Sequence, residues 1–240
     1  MKKPAFILAA LCSGTLLVAS CSSDKTADTT ATTTETSAPD ATASGDMAGM
    51  DHSKMAEGSP AGDPPLLASM NEMMGKMSAL KMKGNTDHDF AHMMLEHHKG
   101  AVAMADIELR DGKDATMKQM AEKIKADQQK EIGEMEPIAE RLDSAPNNYK
   151  PLDPADPFTS QMKASMDGMM QNMPKPVANP DMNFNMLMTV HHQSAVDMAK
   201  AELAHGKDTK LKEMAQMMVD AQQKEIAEFK AWHDKNADKM

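Results

Sequence analysis

The chain repeats itself, and the repeat limits what it can fold into. Asp87 to Glu134 aligns without a gap on Asp181 to Glu228, at an offset of 94 and with about half the positions identical. Phe90, Met94, His97, His98, Ala101, Met104 and Glu108 match Phe184, Met188, His191, His192, Ala195, Met198 and Glu202. Further on, Gly112-Lys113-Asp114 matches Gly206-Lys207-Asp208, and Gln128 to Ile132 matches Gln222 to Ile226. Upstream, Met70, Met73, Met74 and Met77 match Met166, Met169, Met170 and Met173 after a two-residue gap. A repeat this long implies two copies of one supersecondary unit.

Each unit reads as three helices. The first is short, and its methionines at i, i+3, i+4 and i+7 share one stripe. The second starts after Asn85 or Asn179, with Pro180 suited to the first helical position. It runs to Gly112 or Gly206, where a left-handed glycine is expected to close it. Asp114 or Asp208 then caps the third helix. Pro137 is expected to kink or end that helix in unit one, whereas Ala231 lets its counterpart continue through Trp232. No stretch alternates as a strand would, so the fold class is all-α. The long helices of each unit form a hairpin, and two hairpins make a four-helix bundle with the short Met-rich helices outside it.

The seams of those helices carry unusual residues. Phe90, Met94, His97, Ala101, Met104 and Glu108 follow the 4, 3, 4, 3, 4 spacing of a bundle interior, as do their partners at the offset of 94. The third helices contribute Gln128, Glu131, Gln222 and Glu225 at similar levels. Polar groups in an apolar seam cost free energy unless paired. They can pair with one another as core residues, or they can hold a metal. Neighbouring helical residues diverge by about 100°. One histidine of each doublet therefore faces the seam and the other its flank, both within reach of the same methionine. The candidate ligands are Met94, His97, His98 and Met104 with Met188, His191, His192 and Met198. Glu108, Gln128, Glu131, Glu202, Gln222 and Glu225 are their candidate supports. Thioether with imidazole suits Cu(I) far better than zinc, magnesium or calcium. His88 and His92 align with Met182 and Met186, so both pairs are candidates for a satellite site facing the short helices.

The rest of the chain adds context. Lys2 and Lys3 precede a mostly apolar run, Phe6 to Val18, that is too short to span a bilayer. It ends in Leu17-Val18-Ala19-Ser20-Cys21, which resembles a bacterial lipobox with Cys21 as the lipidated residue; residues 1–20 then read as a lipoprotein signal peptide. Cys12 lies inside that signal, so the mature fold contains no other thiol and no disulfide framework. Ser22 follows the cysteine where a retention aspartate would stand, which favours the outer membrane facing the periplasm, or the cell surface. Residues 21–65 are rich in Thr, Ala and Ser and read as a disordered tether. The tether contains an island, Met47, Met50, His52 and Met55, that has no core to join and resembles the Met/Asp/His-rich segments of copper-resistance proteins. Residues 66–145 and 146–240 make units one and two. The chain carries a net charge of −10, which disfavours nucleic acid as a partner.

On these residues the repeat resembles the "domain of unknown function 305" family, whose pattern runs roughly F-x3-M-x2-HH-x2-A-x2-MA, then Q-x2-EI-x5-W. Phe90 to Ile132 fits it once, and Phe184 to Trp232 fits it again. The first copy has Ile138 where the tryptophan is expected. The resemblance implies two tandem copies, a ferritin-like bundle and copper handling in the cell envelope. The expected function is sequestration, buffering or resistance with copper as cargo, a copper-handling partner protein as one option, and no catalysis. The alternatives are a two-metal carboxylate redox enzyme built on Glu108, Glu131, Glu202 and Glu225, or a structural lipoprotein without metal. For the enzyme, Gln-x-x-Glu supplies too few charges for a hard Fe(II) pair.

Overall fold

The computed structural model describes residues 64–239, so the signal, Cys21 and the tether island Met47, Met50, His52 and Met55 lie outside the described residues. Six helices follow in order: α1 (Pro65–Ser78), α2 (Thr86–Asp111), α3 (Ala115–Leu142), α4 (Pro157–Gln171), α5 (Pro180–His205) and α6 (Thr209–Asn236). A short 3-10 turn, Ala237–Lys239, closes the chain. No helix among the described residues is long and apolar enough to cross a membrane.

Side-chain caps set the helix starts. The Asn85 side chain accepts from the His88 N–H, and Asn179 accepts from Asp181 and Met182. Asp114 accepts from Thr116 and Met117, and Asp208 from Leu211. Each cap satisfies amides that the first helical turn leaves without partners.

Two endings differ from the sequence reading. Gly112 and Gly206 are not left-handed, with φ/ψ of −63°/155° and −63°/156°. Glycine is required there for space, because a Cβ on either would collide with the backbone carbonyl of Glu108 or Glu202 as well as with the carboxyl folded beneath it. Pro137 does not end α3, which runs on to Leu142 and at 28 residues is as long as α6. Ile138, Ala139 and Leu142 are buried beyond the proline, and their packing holds the final turn.

α2 pairs with α3, α5 pairs with α6, and the two hairpins meet chiefly through α2 against α5. α1 lies on α2 and α4 on α5, outside the hairpins. Met70, Met73, Met74 and Met77 are all buried on α1, as are Met166 and Met169 on α4. At Gly100 of α2 an added Cβ would overlap the Met73 side chain, so this glycine lets α1 approach closely. The equivalent place on α5 is Ser194, whose hydroxyl lies 2.9 Å from that of Ser165 on α4.

The hairpins also cap each other reciprocally. The Asp87 carboxylate on α2 accepts from the Lys207 and Asp208 N–H groups at 2.7 and 2.6 Å. The Asp181 carboxylate on α5 accepts from Lys113 and Asp114, both at 2.7 Å. These contacts exchange under the offset of 94, so the two units are related by a local two-fold through the α2–α5 contact. Trp232 adds an Nε1–H bond to Asp114 at 3.1 Å, while Arg141 reaches Asp208 at 2.6 Å.

Candidate metal centre

At that two-fold, α2 and α5 bring His97 and His191 face to face, with ring centroids 3.7 Å apart and planes at 33°. Both are fully buried. Burial holds both imidazoles well below their ordinary pKa, and the neighbouring histidines add to the effect. They are therefore neutral, with lone pairs available at neutral pH.

His191 Nε2 donates to the His97 carbonyl at 3.0 Å, which leaves Nδ1 as the bare nitrogen. Among the described residues His191 Nδ1 has no hydrogen-bond partner, and neither nitrogen of His97 has one. An unsatisfied buried polar group costs about 1–3 kcal/mol. The stack therefore does not behave as a set of satisfied core histidines.

The second histidine of each doublet turns to the flank, as the helical angle requires. His98 Nε2 pairs with Glu131 at 2.7 Å. His192 Nε2 lies 2.9 Å from a Glu225 oxygen, at ion-pair distance but without hydrogen-bond alignment. Glu225 also receives Lys123 at 2.6 Å. These contacts, against the opposing effect of burial, hold its carboxyl below the ordinary range. The Nδ1 atoms of His98 and His192 have no partner among the described residues. Met94, Met104, Met188 and Met198 are all fully buried on the same two helices.

Gln128 and Gln222 are buried on α3 and α6, and each keeps an amide oxygen without a partner. Together with Glu131, Glu225, Ile124 and Met217 they line a cleft of about 130 Å³ between those helices. Met217 is one of only two exposed large apolar side chains among the described residues, and it stands on this cleft.

Glu108 and Glu202 lie elsewhere, at the hairpin ends. Burial first, and the neighbouring Asp181 or Asp87 second, push each carboxyl up to about 9. A Glu-x-x-His spacing of the two-metal kind does occur, Glu202 to His205. The structure parts its members, with His205 Nε2 turned to Gln161 at 3.1 Å. Among the described residues no three of the seam glutamates and histidines bring ligand atoms together.

One such group does form, away from the seam. His88, His92 and Asp143 place their ligand atoms within 4.8 Å of one another. His88 and His92 are satellite candidates from the sequence, but Asp143 is 51 residues from His92 and carries no local signature. Met182 is buried in the core, and Met186 is partly buried against it.

A comparison with curated proteins finds no match. Among solved structures, "CopM in the Cu(I)-bound form" is similar at 26% identity, covering 62% of this chain and 96% of that one, with a TM-score of 0.48. "CopM in the Ag-bound form (by soaking)" stands at 25% identity, 62% and 95% coverage, and a TM-score of 0.47. A DUF305 fragment from Deinococcus radiodurans shows 25% identity, 62% and 96% coverage, and a TM-score of 0.47. The family described as "Domain of unknown function (DUF305)" matches residues 87–233 in one stretch that takes in both hairpins, so the family domain is matched once and not as the two tandem copies expected from the sequence. The chain belongs to the DUF305 family.

Proposed function

We propose that this protein binds copper as Cu(I) in the cell envelope, for sequestration or buffering, through methionine and histidine and without catalysis. The observation that carries the reading is the stacked pair His97 and His191, neutral and fully buried, with three ring nitrogens lacking partners among the described residues. A soft monovalent ion is the cation this environment suits. Thioethers and imidazoles add no charge, so a bound Cu(I) buries only one positive charge, whereas a divalent ion there would need carboxylates beside it. Met94, Met104, Met188 and Met198 supply the thioethers, with His98 and His192 on the flanks. The cleft between α3 and α6 gives an ion a path toward the Glu131 and Glu225 partners of those flanking histidines.

In this reading Cys21 carries a lipid that holds the protein at the outer membrane or cell surface. Met47, Met50, His52 and Met55 form a second capture segment, and a copper-handling protein exchanges the ion. The two hairpins are copies of one unit, a ferritin-like arrangement without the carboxylate centre of ferritin-like oxidases.

Competition titration against a Cu(I) chelator tests the metal preference. Retention of Cu(I) or Ag(I) well above Zn(II) and Fe(II) is the expected result. Equal retention of Fe(II), with oxygen consumption, would favour a redox carboxylate centre instead.

A further inference from the structure

We propose that His88, His92 and Asp143 form a second metal site, for a divalent transition-metal cation, with Cu(II) preferred and Zn(II) next. It is independent of the buried histidines and differs from them in chemistry. His88 Nε2 and His92 Nε2 approach the same Asp143 oxygen, at 3.2 and 3.3 Å. For metal–ligand bonds of about 2.0–2.1 Å, ligand atoms stand about 2.9 Å apart at a square corner and about 3.3 Å apart in a tetrahedron. Both spacings fall in that range before any ion is added.

What marks the group as built is the residue behind it. His88 Nδ1 pairs at 2.7 Å with Asp89, which is 1% exposed. Asp89 in turn accepts the N–H groups of Lys83 and Gly84, both at 2.8 Å, and the Tyr149 hydroxyl at 2.6 Å. Gly84 reaches this position at φ 89°, a conformation open to glycine. Its carbonyl ties down the Asn148 and Tyr149 amides from the α3–α4 loop. Asp89 thus holds the proton on His88 Nδ1 and leaves Nε2 bare and aimed at Asp143. A carboxylate behind a histidine in this way fixes the ring and raises its basicity toward a metal.

The charge and exposure also fit a divalent ion. The Asp143 side chain is 61% exposed and His92 is 34% exposed, so water can fill the remaining coordination positions. Asp89 and Asp143 bring two negative charges. Lys83, whose Nζ contacts the Asp143 carbonyl, is the opposing cation. Two imidazoles and a carboxylate rank Cu(II) above Zn(II). The second unit lacks the site, because Met182, Met186 and Ala237 occupy the matching places.

The test uses the full mature chain without reductant, titrated with Cu(II) and then Zn(II) by calorimetry and by electron paramagnetic resonance. One Cu(II) with two imidazole nitrogens in its spectrum is expected. His92→Ala and Asp143→Ala should each weaken it at least tenfold, and Asp89→Asn by 10- to 100-fold. Both His92 and Asp143 reach solvent, so the first two variants should fold, and circular dichroism checks the third. Cu(I) uptake under reductant should be unchanged in Asp143→Ala, which separates this site from the buried one. Absence of Cu(II) and Zn(II) binding would overturn the proposal. So would a Cu(II) signal that survives both His92→Ala and Asp143→Ala, or one that disappears with His52→Ala instead.

Discussion

Replacing His97 and His191 together with glutamine is expected to abolish the Cu(I) bound in the bundle while leaving the protein helical. Glutamine keeps polarity and approximate size but removes the imidazole ligand. The apo protein should lose little stability, because His97 gives up no hydrogen bond from its ring and His191 gives up one, to the His97 carbonyl. Copper should then stop protecting the fold. A ligand that binds only the folded state adds ~2.7 kcal/mol at 100 times its dissociation constant, and that increment should vanish in the variant. Any Cu(I) captured by Met50 and His52 would not restore it, since that segment's composition gives it no core to stabilise. Thermal melts with and without Cu(I), alongside bound-copper stoichiometry, check both halves. Early melting with copper still bound would mean that these histidines serve packing alone.

A second large effect concerns acidity. Burial, with Asp181 or Asp87 alongside, pushes the Glu108 and Glu202 carboxyls from an ordinary 4.5 up to about 9 in the folded protein. A carboxyl whose folded pKa is raised binds its proton more tightly when folded. Its stabilising contribution is therefore fully present below about 4.5 and is lost as pH rises toward 9. The slope is at most about 1.4 kcal/mol per pH unit for each group, and the nearby Lys118 and Lys212 oppose the upward shift. Glu108→Gln with Glu202→Gln mimics the protonated acids permanently. The double variant should melt at least about 5 °C higher than the parent at pH 8.5 and close to it at pH 5. Parallel melting curves across that range would show that these carboxyls are not held protonated.

Much of the scaffold was legible because its signals are local. Asn85, Asn179, Asp114 and Asp208 cap the helices that their positions announce, and the heptad spacing buries Phe90, Met94 and His97 together with their counterparts. The illegible parts depend on distant neighbours. The need for Gly112 and Gly206 comes from the carbonyl and folded-back carboxyl of a glutamate one turn earlier, which no glycine rule for left-handed closure contains. Pro137 fails to stop α3 because the residues after it are buried. Glu108 and Glu202 fit the seam period, yet their carboxyls turn to the hairpin ends, where Asp181 and Asp87 cross over from the other unit. Those aspartates were visible as a repeated pair, but their contacts span 67 to 121 residues. Asp143 likewise meets His88 and His92 only once α3 has folded back along α2.

The composition of the copper coordination shell is the most direct measure of the buried centre. X-ray absorption at the copper edge should be recorded on the reduced, Cu(I)-loaded protein carrying Met50→Ala and His52→Ala, so that the bundle dominates the signal. Sulfur and nitrogen scatterers together, with sulfur from Met94 and Met188 and nitrogen from His97 and His191, are the expected result. A shell of nitrogen and oxygen alone would contradict thioether ligation of Cu(I) in the bundle.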